Sequence, residues 1–309
     1  MAVKRSTTPD PSPLAVDLAG RISAHVLEVA GTAVHYWNYA PADGRTATRT
    51  LVMVHGFRGD HHGLERVVEL LPDYRIIMAD LPGFGASPAF ARGRHDVSGY
   101  SAFLDAFLQA LHLGPDTVLL GHSFGSIVVS HFVAAHPGRV HPLILINPIA
   151  SPALEGAKGV MTQLAVFYYW AAAKLPDPLG NALLRNKLIV HLMSVTMAKT
   201  REKELLAFIH GQHHAYFSDF ANRDMLLEAF QASAGGTVRE VSARLTLPTL
   251  MIAGELDEIA TLPTQRTLVK LLPDAELVVI DNVGHLIHYE TPAPAAAAII
   301  DFLERHPAP

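Results

Sequence analysis

Short β-branched runs alternate with helically spaced apolar residues along most of the chain. That alternation predicts a mostly parallel sheet with crossover helices. His25–Ala30 and Val34–Tyr39, joined through Gly31, read as a hairpin. Thr50–His55 (TLVMVH), Arg75–Ala79 (RIIMA), Thr117–Gly121 and Leu143–Ile146 read as buried strands. Leu64–Leu71, Ser98–Leu113 and Ser126–Ala135 carry helical spacing between them.

The rhythm breaks at about Ala150 and returns near Gly236. Between them lies a helical, apolar segment with Phe167, Tyr168, Tyr169 and Trp170 in a row and no convincing strand. Strands resume at Thr249–Ala253 and Glu276–Ile280, and a helix over Ala293–Leu303 closes the chain. The expected fold class is therefore α/β. A mostly parallel eight-stranded sheet flanked by helices is formed by 21–149 and 237–309, with a helical lid insertion at 150–236. Sites in open α/β sheets form at the carboxyl ends of strands, where this insertion emerges, which gives it the place of a lid. Residues 1–20, with three prolines and several Ser and Thr, read as a flexible tail.

Composition narrows the function classes. Half of the 309 residues are hydrophobic, enough for a sizeable core. A net charge of −5 leaves no basic footprint for nucleic acid and no polybasic anchor. The chain has no cysteine, which excludes disulfides, a thiolate nucleophile and cysteine-bound metal. Lys4 and Arg5 are followed by no apolar run of signal-peptide length, and Met161–Ala173 is too short for a transmembrane segment. A cytoplasmic protein acting on a small molecule is expected, with no cofactor. Its oligomeric state is left open.

Gly121-His122-Ser123-Phe124-Gly125 matches G-x-S-x-G between an apolar strand and an apolar helix, the context that motif requires. A serine hydroxyl is a weak nucleophile at neutral pH and needs an adjacent base. The flanking glycines would let the backbone take a sharp turn without a Cβ clash. His285, after the last strand and beside Gly284, is the candidate base, with His288 its competitor. Asp257, in Gly254-Glu255-Leu256-Asp257, is the candidate acid, with Glu255 and Glu258 its rivals. Asn147, after the preceding strand, offers no carboxylate. The order Ser, Asp, His is the one expected for this architecture. The backbone N–H groups of Phe57 and Phe124 would form the oxyanion hole, their rings serving as cavity walls.

With these motifs in order, the chain resembles the α/β-hydrolase superfamily over nearly its whole length after the tail. It carries HGFRG, DLPGFGAS (Asp80 to Ser87), GHSFGS, GELD and GH. The resemblance implies Ser123 as nucleophile, Asp257 as acid, His285 as base, and Phe57 and Phe124 as oxyanion donors. It gives the DLPGFG loop a structural role only. An aspartate stands at the elbow of dehalogenases and epoxide hydrolases, so Ser123 argues against both. The expected activity is hydrolysis of a carboxylic ester with an apolar acyl or alcohol group through an acyl-enzyme. Carbon–carbon bond, lactone or thioester hydrolysis and a non-catalytic binding member of the fold are the alternatives.

Candidate substrate residues are Arg58, for a carboxylate, and Tyr168, Tyr169 and Trp170 as walls. Phe167, Leu192, Met193, Met197, Phe208, Tyr216, Phe217 and Phe220 are further wall candidates. His210, His213 and His214 could share a helix face, but no Glu follows His210 as in zincins, and no metal is expected there or at His61-His62.

Overall fold

In a computed structural model describing residues 3–5, 18, 20–152 and 159–308, nine strands build one sheet. They are β1 (Val3–Arg5), β2 (Ile22–Val29), β3 (Thr32–Tyr39), β4 (Thr50–Val54), β5 (Arg75–Ala79), β6 (Val118–His122), β7 (Leu143–Ile146), β8 (Thr249–Gly254) and β9 (Ala275–Ile280). Their order across the sheet is β1-β9-β8-β7-β6-β4-β5-β3-β2. β3 runs antiparallel to β2 and to β5, and every other pair is parallel. All eight expected strands form, and the short edge strand β1 adds a ninth beside β9. Most of residues 1–20, expected as a tail, lies outside the described residues.

Among the described residues the helices are α1 (Glu65–Glu69), α2 (Val97–Ala110), α3 (Phe124–Ala135), α4 (Gly159–Lys174), α5 (Asp177–Leu184), α6 (Lys187–Met197), α7 (Lys203–Tyr216), α8 (Arg223–Gly235), α9 (Leu262–Leu268), α10 (Ile287–Glu290) and α11 (Pro292–Arg305). Val67 and Val68 of α1 and Ile299 and Phe302 of α11 cover one sheet face. Phe103 and Phe107 of α2 and Ile127 and Phe132 of α3 cover the other. The central strands therefore have no solvent side, and β6, β7 and β8 are buried at every residue. That two-sided burial is why their sequences read as unbroken apolar runs.

Helices α4 to α8 all lie between β7 and β8. The loop after β5 holds this insertion through an antiparallel bridge between Phe84 and Phe220. The N–H of Gly85 donates to Asp219 O and that of Ala221 to Gly83 O, both at 2.9 Å. A capping box between Thr237 and Glu240 starts the 3-10 turn that returns the chain to the sheet. From β4 the chain moves one way to β5 and then back across to β6. Such a reversal opens a crevice at the carboxyl ends of β4 and β6. No helix among the described residues is long and apolar enough to cross a membrane.

Candidate active site

Ser123 stands in that crevice, between β6 and α3, at φ 53° and ψ −117°. The turn's left-handed residue is thus the serine itself, not either glycine of the motif. A non-glycine residue there costs roughly 1–3 kcal/mol and must be held by its surroundings. Its N–H donates to Ile146 O at 3.0 Å, and its carbonyl accepts from the N–H and hydroxyl of Ser126. The glycines serve close packing. A Cβ on Gly125 would lie 2.2 Å from Val54 O, and one on Gly121 would lie 2.5 Å from Gly125 O.

His285 Nε2 lies 2.8 Å from Ser123 Oγ, and its Nδ1 lies 2.8 Å from Asp257 Oδ2. An ionised carboxylate only accepts, so Nδ1 of a neutral ring carries the proton and Nε2 is left to accept the serine hydroxyl. The other Asp257 oxygen accepts the N–H groups of Ile259 (2.7 Å) and Ala260 (2.9 Å). Burial pushes the Asp257 carboxyl up, but the His285 ring and these N–H donors outweigh it and hold it below its usual value. The loops bearing Asp257 and His285 touch backbone to backbone. A Cβ on Gly254 would come within 2.3 Å of Gly284 O, and the Leu256 N–H donates to Val283 O at 2.9 Å.

The rivals are engaged elsewhere. Glu255 Oε2 accepts the Asn282 N–H, and Glu258 lies 3.5 Å from Lys199 Nζ. Asn147 donates to Gly284 O at 3.2 Å. His288 is buried with its ring 4.2 Å from that of His122. Burial, with other histidines beside it, holds His288 well below the usual histidine range and pushes His122 down to about 3.

On the other side of the serine, the turn after β4 approaches closely. A Cβ on Gly56 would lie 3.3 Å from Ser123 Cβ. His55 fixes this turn. Its Nε2 accepts the Leu81 N–H at 2.9 Å, so the proton is on Nδ1, which donates to Gly56 O at 2.8 Å. The N–H groups of Phe57 and Phe124 have no hydrogen-bond partner among the described residues. Of these two residues, only Phe57 borders the cavity. The Phe124 ring is fully buried against Tyr100, so its expected place as a wall is corrected.

A cavity of about 420 Å³ opens over Ser123, His285 and Phe57. The insertion lines it with Ala165, Met193, Met197, Phe217, Phe230 and Ala234, and Ile259 borders it from the Asp257 loop. Of the residues expected as walls, Met193, Met197 and Phe217 are present. Tyr168, Tyr169 and Trp170 do not line it, and neither do Phe167, Leu192, Phe208, Tyr216 and Phe220. Tyr168 donates to Leu183 O, Tyr169 is buried and stacked on Phe230, and Trp170 faces solvent beside Phe167. Phe230, Leu286 and Tyr289 were missed, although the helical spacing of Phe230 in α8 was available to find it.

Arg58 borders the cavity but is turned into the insertion. Its guanidinium donates to Phe217 O and Leu184 O at 2.8 Å and to the Tyr169 hydroxyl at 3.3 Å. The histidines of α7 face one another and α6. His210 and His213 both meet Ser194 Oγ, at 2.6 and 2.7 Å, and His214 lies against His191. Among the described residues, only Asp60, His61 and His62 bring three potential metal-ligand atoms within 4.8 Å. There Asp60 already accepts from the His62 backbone and ring, and His61 Nδ1 lies 2.9 Å from Asp80.

The family described as alpha/beta hydrolase fold matches residues 49–292. Lipase 1 of Psychrobacter immobilis is 23% identical over 79% of this chain and 73% of its own length. A pimeloyl-[acyl-carrier protein] methyl ester esterase of Chromobacterium violaceum is 29% identical over 76% of this chain and 86% of its own. The structure of an esterase from Exiguobacterium antarcticum superposes with a TM-score of 0.74 at 17% identity, covering 91% of this chain and 100% of the other.

Proposed function

The chain belongs to the alpha/beta hydrolase fold family, and from that premise we propose a serine hydrolase of carboxylic esters with an apolar acyl or alcohol group. The observation that carries the reading is the unbroken line from Ser123 Oγ through His285 to Asp257, with 2.8 Å at each step.

In this mechanism the Ser123 oxygen attacks the ester carbonyl carbon as its proton passes to His285 Nε2. The carbonyl oxygen becomes an oxyanion held by the N–H groups of Phe57 and Phe124. Asp257 stabilises the charged imidazolium. The tetrahedral intermediate collapses, and the departing alkoxide takes the proton from His285. Water then repeats the sequence on the acyl-enzyme and releases the acid. Losing one oxyanion donor typically costs about 3 kcal/mol of barrier.

The cavity's lining supports an apolar group on the ester. Arg58 and Asp60, two charged residues bordering it, are engaged by carbonyls, a tyrosine hydroxyl and His62. Relatives known as a lipase and a methyl ester esterase agree with ester chemistry. On this reading α4 to α8 form a lid, and Arg58 is its tether instead of a carboxylate receptor.

A fluorophosphonate probe tests the proposal. It should label the wild type at Ser123 and leave a folded Ser123→Ala variant unlabelled, with p-nitrophenyl ester turnover lost in parallel. A folded wild type that takes no label would overturn the enzyme reading and favour a binding protein on this scaffold.

A further inference from the structure

Eight of the thirteen exposed large hydrophobic residues among the described ones fall between positions 166 and 195. They concentrate on two helices. Val166, Phe167 and Trp170 share one side of α4, and Leu188, Leu192 and Val195 recur at helical spacing on α6. Leu188 is 80% exposed, Leu192 64% and Phe167 61%. The same two helices border the cavity on their inner sides, through Ala165 on α4 and Met193, Thr196 and Met197 on α6. The exposed apolar surface therefore adjoins the rim of the chamber that holds Ser123.

Charge on this segment opposes that of the whole chain. Residues 159–204 hold six Lys or Arg against three Asp or Glu, net +3 on a chain of net −5. Lys174, at the end of α4, and Lys187, at the start of α6, are exposed with no ion-pair partner among the described residues. Asp177, the sole acid between them, is 2.7 Å from Arg223. An apolar face flanked by unpaired cations is the pattern of a surface that lies on a lipid boundary bearing negative headgroups. A second copy would bring like charges together.

We propose that the outer faces of α4 and α6 dock the protein on an anionic lipid–water interface, so that apolar substrate enters the cavity from that side. The proposal rests on the esterase reading only for what enters; docking itself needs no Ser123.

Sedimentation with vesicles of phosphatidylcholine, with and without phosphatidylglycerol, tests it. Wild type and Ser123→Ala should bind alike and prefer the anionic vesicles. Phe167→Ser/Leu188→Ser/Leu192→Ser should bind about tenfold or more weakly, with turnover of a short water-soluble ester unchanged. Lys174→Glu/Lys187→Glu should lose the preference for phosphatidylglycerol. Absent wild-type binding, equal binding by the variant substituted at Phe167, Leu188 and Leu192, or no preference for anionic vesicles would each overturn it. So would a wild-type dimer in ultracentrifugation that the Phe167/Leu188/Leu192 variant abolishes, since a second copy would then own the face. A wild type that binds vesicles yet hydrolyses no ester would sink the esterase reading and leave docking standing.

Discussion

The buried carboxylate of Glu290 accepts the backbone N–H of Thr200 at 2.6 Å, joining α10 to the loop between α6 and α7. It also accepts the Lys199 N–H, at 3.1 and 3.3 Å to its two oxygens. The same loop presses on both candidate catalytic loops. Lys199 Nζ lies 3.5 Å from Glu258, and a Cβ on Gly284 would meet Lys199 Cγ at 2.8 Å. Glu290→Ala should orphan these N–H groups and cost about 2–3 kcal/mol. Urea unfolding measures the loss, and faster amide exchange at 198–202 locates it. An unchanged midpoint would mean that other contacts hold the loop.

Asp257→Asn should fold, because its side-chain oxygen can keep the Ile259 and Ala260 N–H groups. The amide would then face His285 Nδ1 and force the proton onto Nε2, the wrong tautomer. A kcat loss of about 10⁴ on p-nitrophenyl esters is expected. Near-normal kcat would move the acid to Glu255 or Glu258.

Gly125→Ala places a methyl 2.2 Å from Val54 O, a backbone atom of a buried residue in a central strand. The neighbour cannot give way, so the variant should lose several kcal/mol, about 3 or more, or fail to fold. Thermal melting decides this. A wild-type melting temperature would contradict the packing described for the turn.

The cavity predicts a split among insertion variants. Trp170→Ala should leave the acyl-length profile unchanged, since Trp170 faces solvent. Ala234→Phe fills space in the chamber and should shift the preference to shorter acyl chains. A panel of p-nitrophenyl esters reads both, and a profile that responds only to Trp170 would mislocate the acyl site.

Acid should destabilise the fold early. Burial holds His122 and His213 at about 3 and His288 well below 6.5, so all three are neutral in the folded chain near neutral pH. Below about 6.5 the unfolded chain binds protons that the folded chain refuses. The stability contribution is therefore full above that value and lost as pH falls toward the folded values. Each histidine contributes a slope of about 1.4 kcal/mol per pH unit inside that window. Urea midpoints at several values from pH 8 to 4.5 measure it, and a flat series would refute neutral burial.

The central strands were readable because two-sided burial leaves them almost no polar position away from their ends. The line from Ser123 to Asp257 was readable because each member follows a strand end at a short, glycine-bearing turn. The cavity walls were not. An aromatic run such as Phe167 to Trp170 touches every side of a helix, so its order says nothing of which ring faces inward. Arg58 was equally opaque. Its φ of 62° sends it toward carbonyls at positions 184 and 217, far along the chain. Glu290 drew no notice because its partners are backbone groups, which leave no mark in a sequence.

The left-handed turn at Ser123 also bears on how such a chain would drift. Glycine takes that conformation without the steric penalty that serine bears. On the proposed mechanism the hydroxyl and the strain reside in one residue, so selection for stability and selection for turnover would pull position 123 in opposite directions. A lineage freed from the demand for turnover would have an easy route to glycine there. Serine at 123 is therefore expected to last only while its chemistry is under selection.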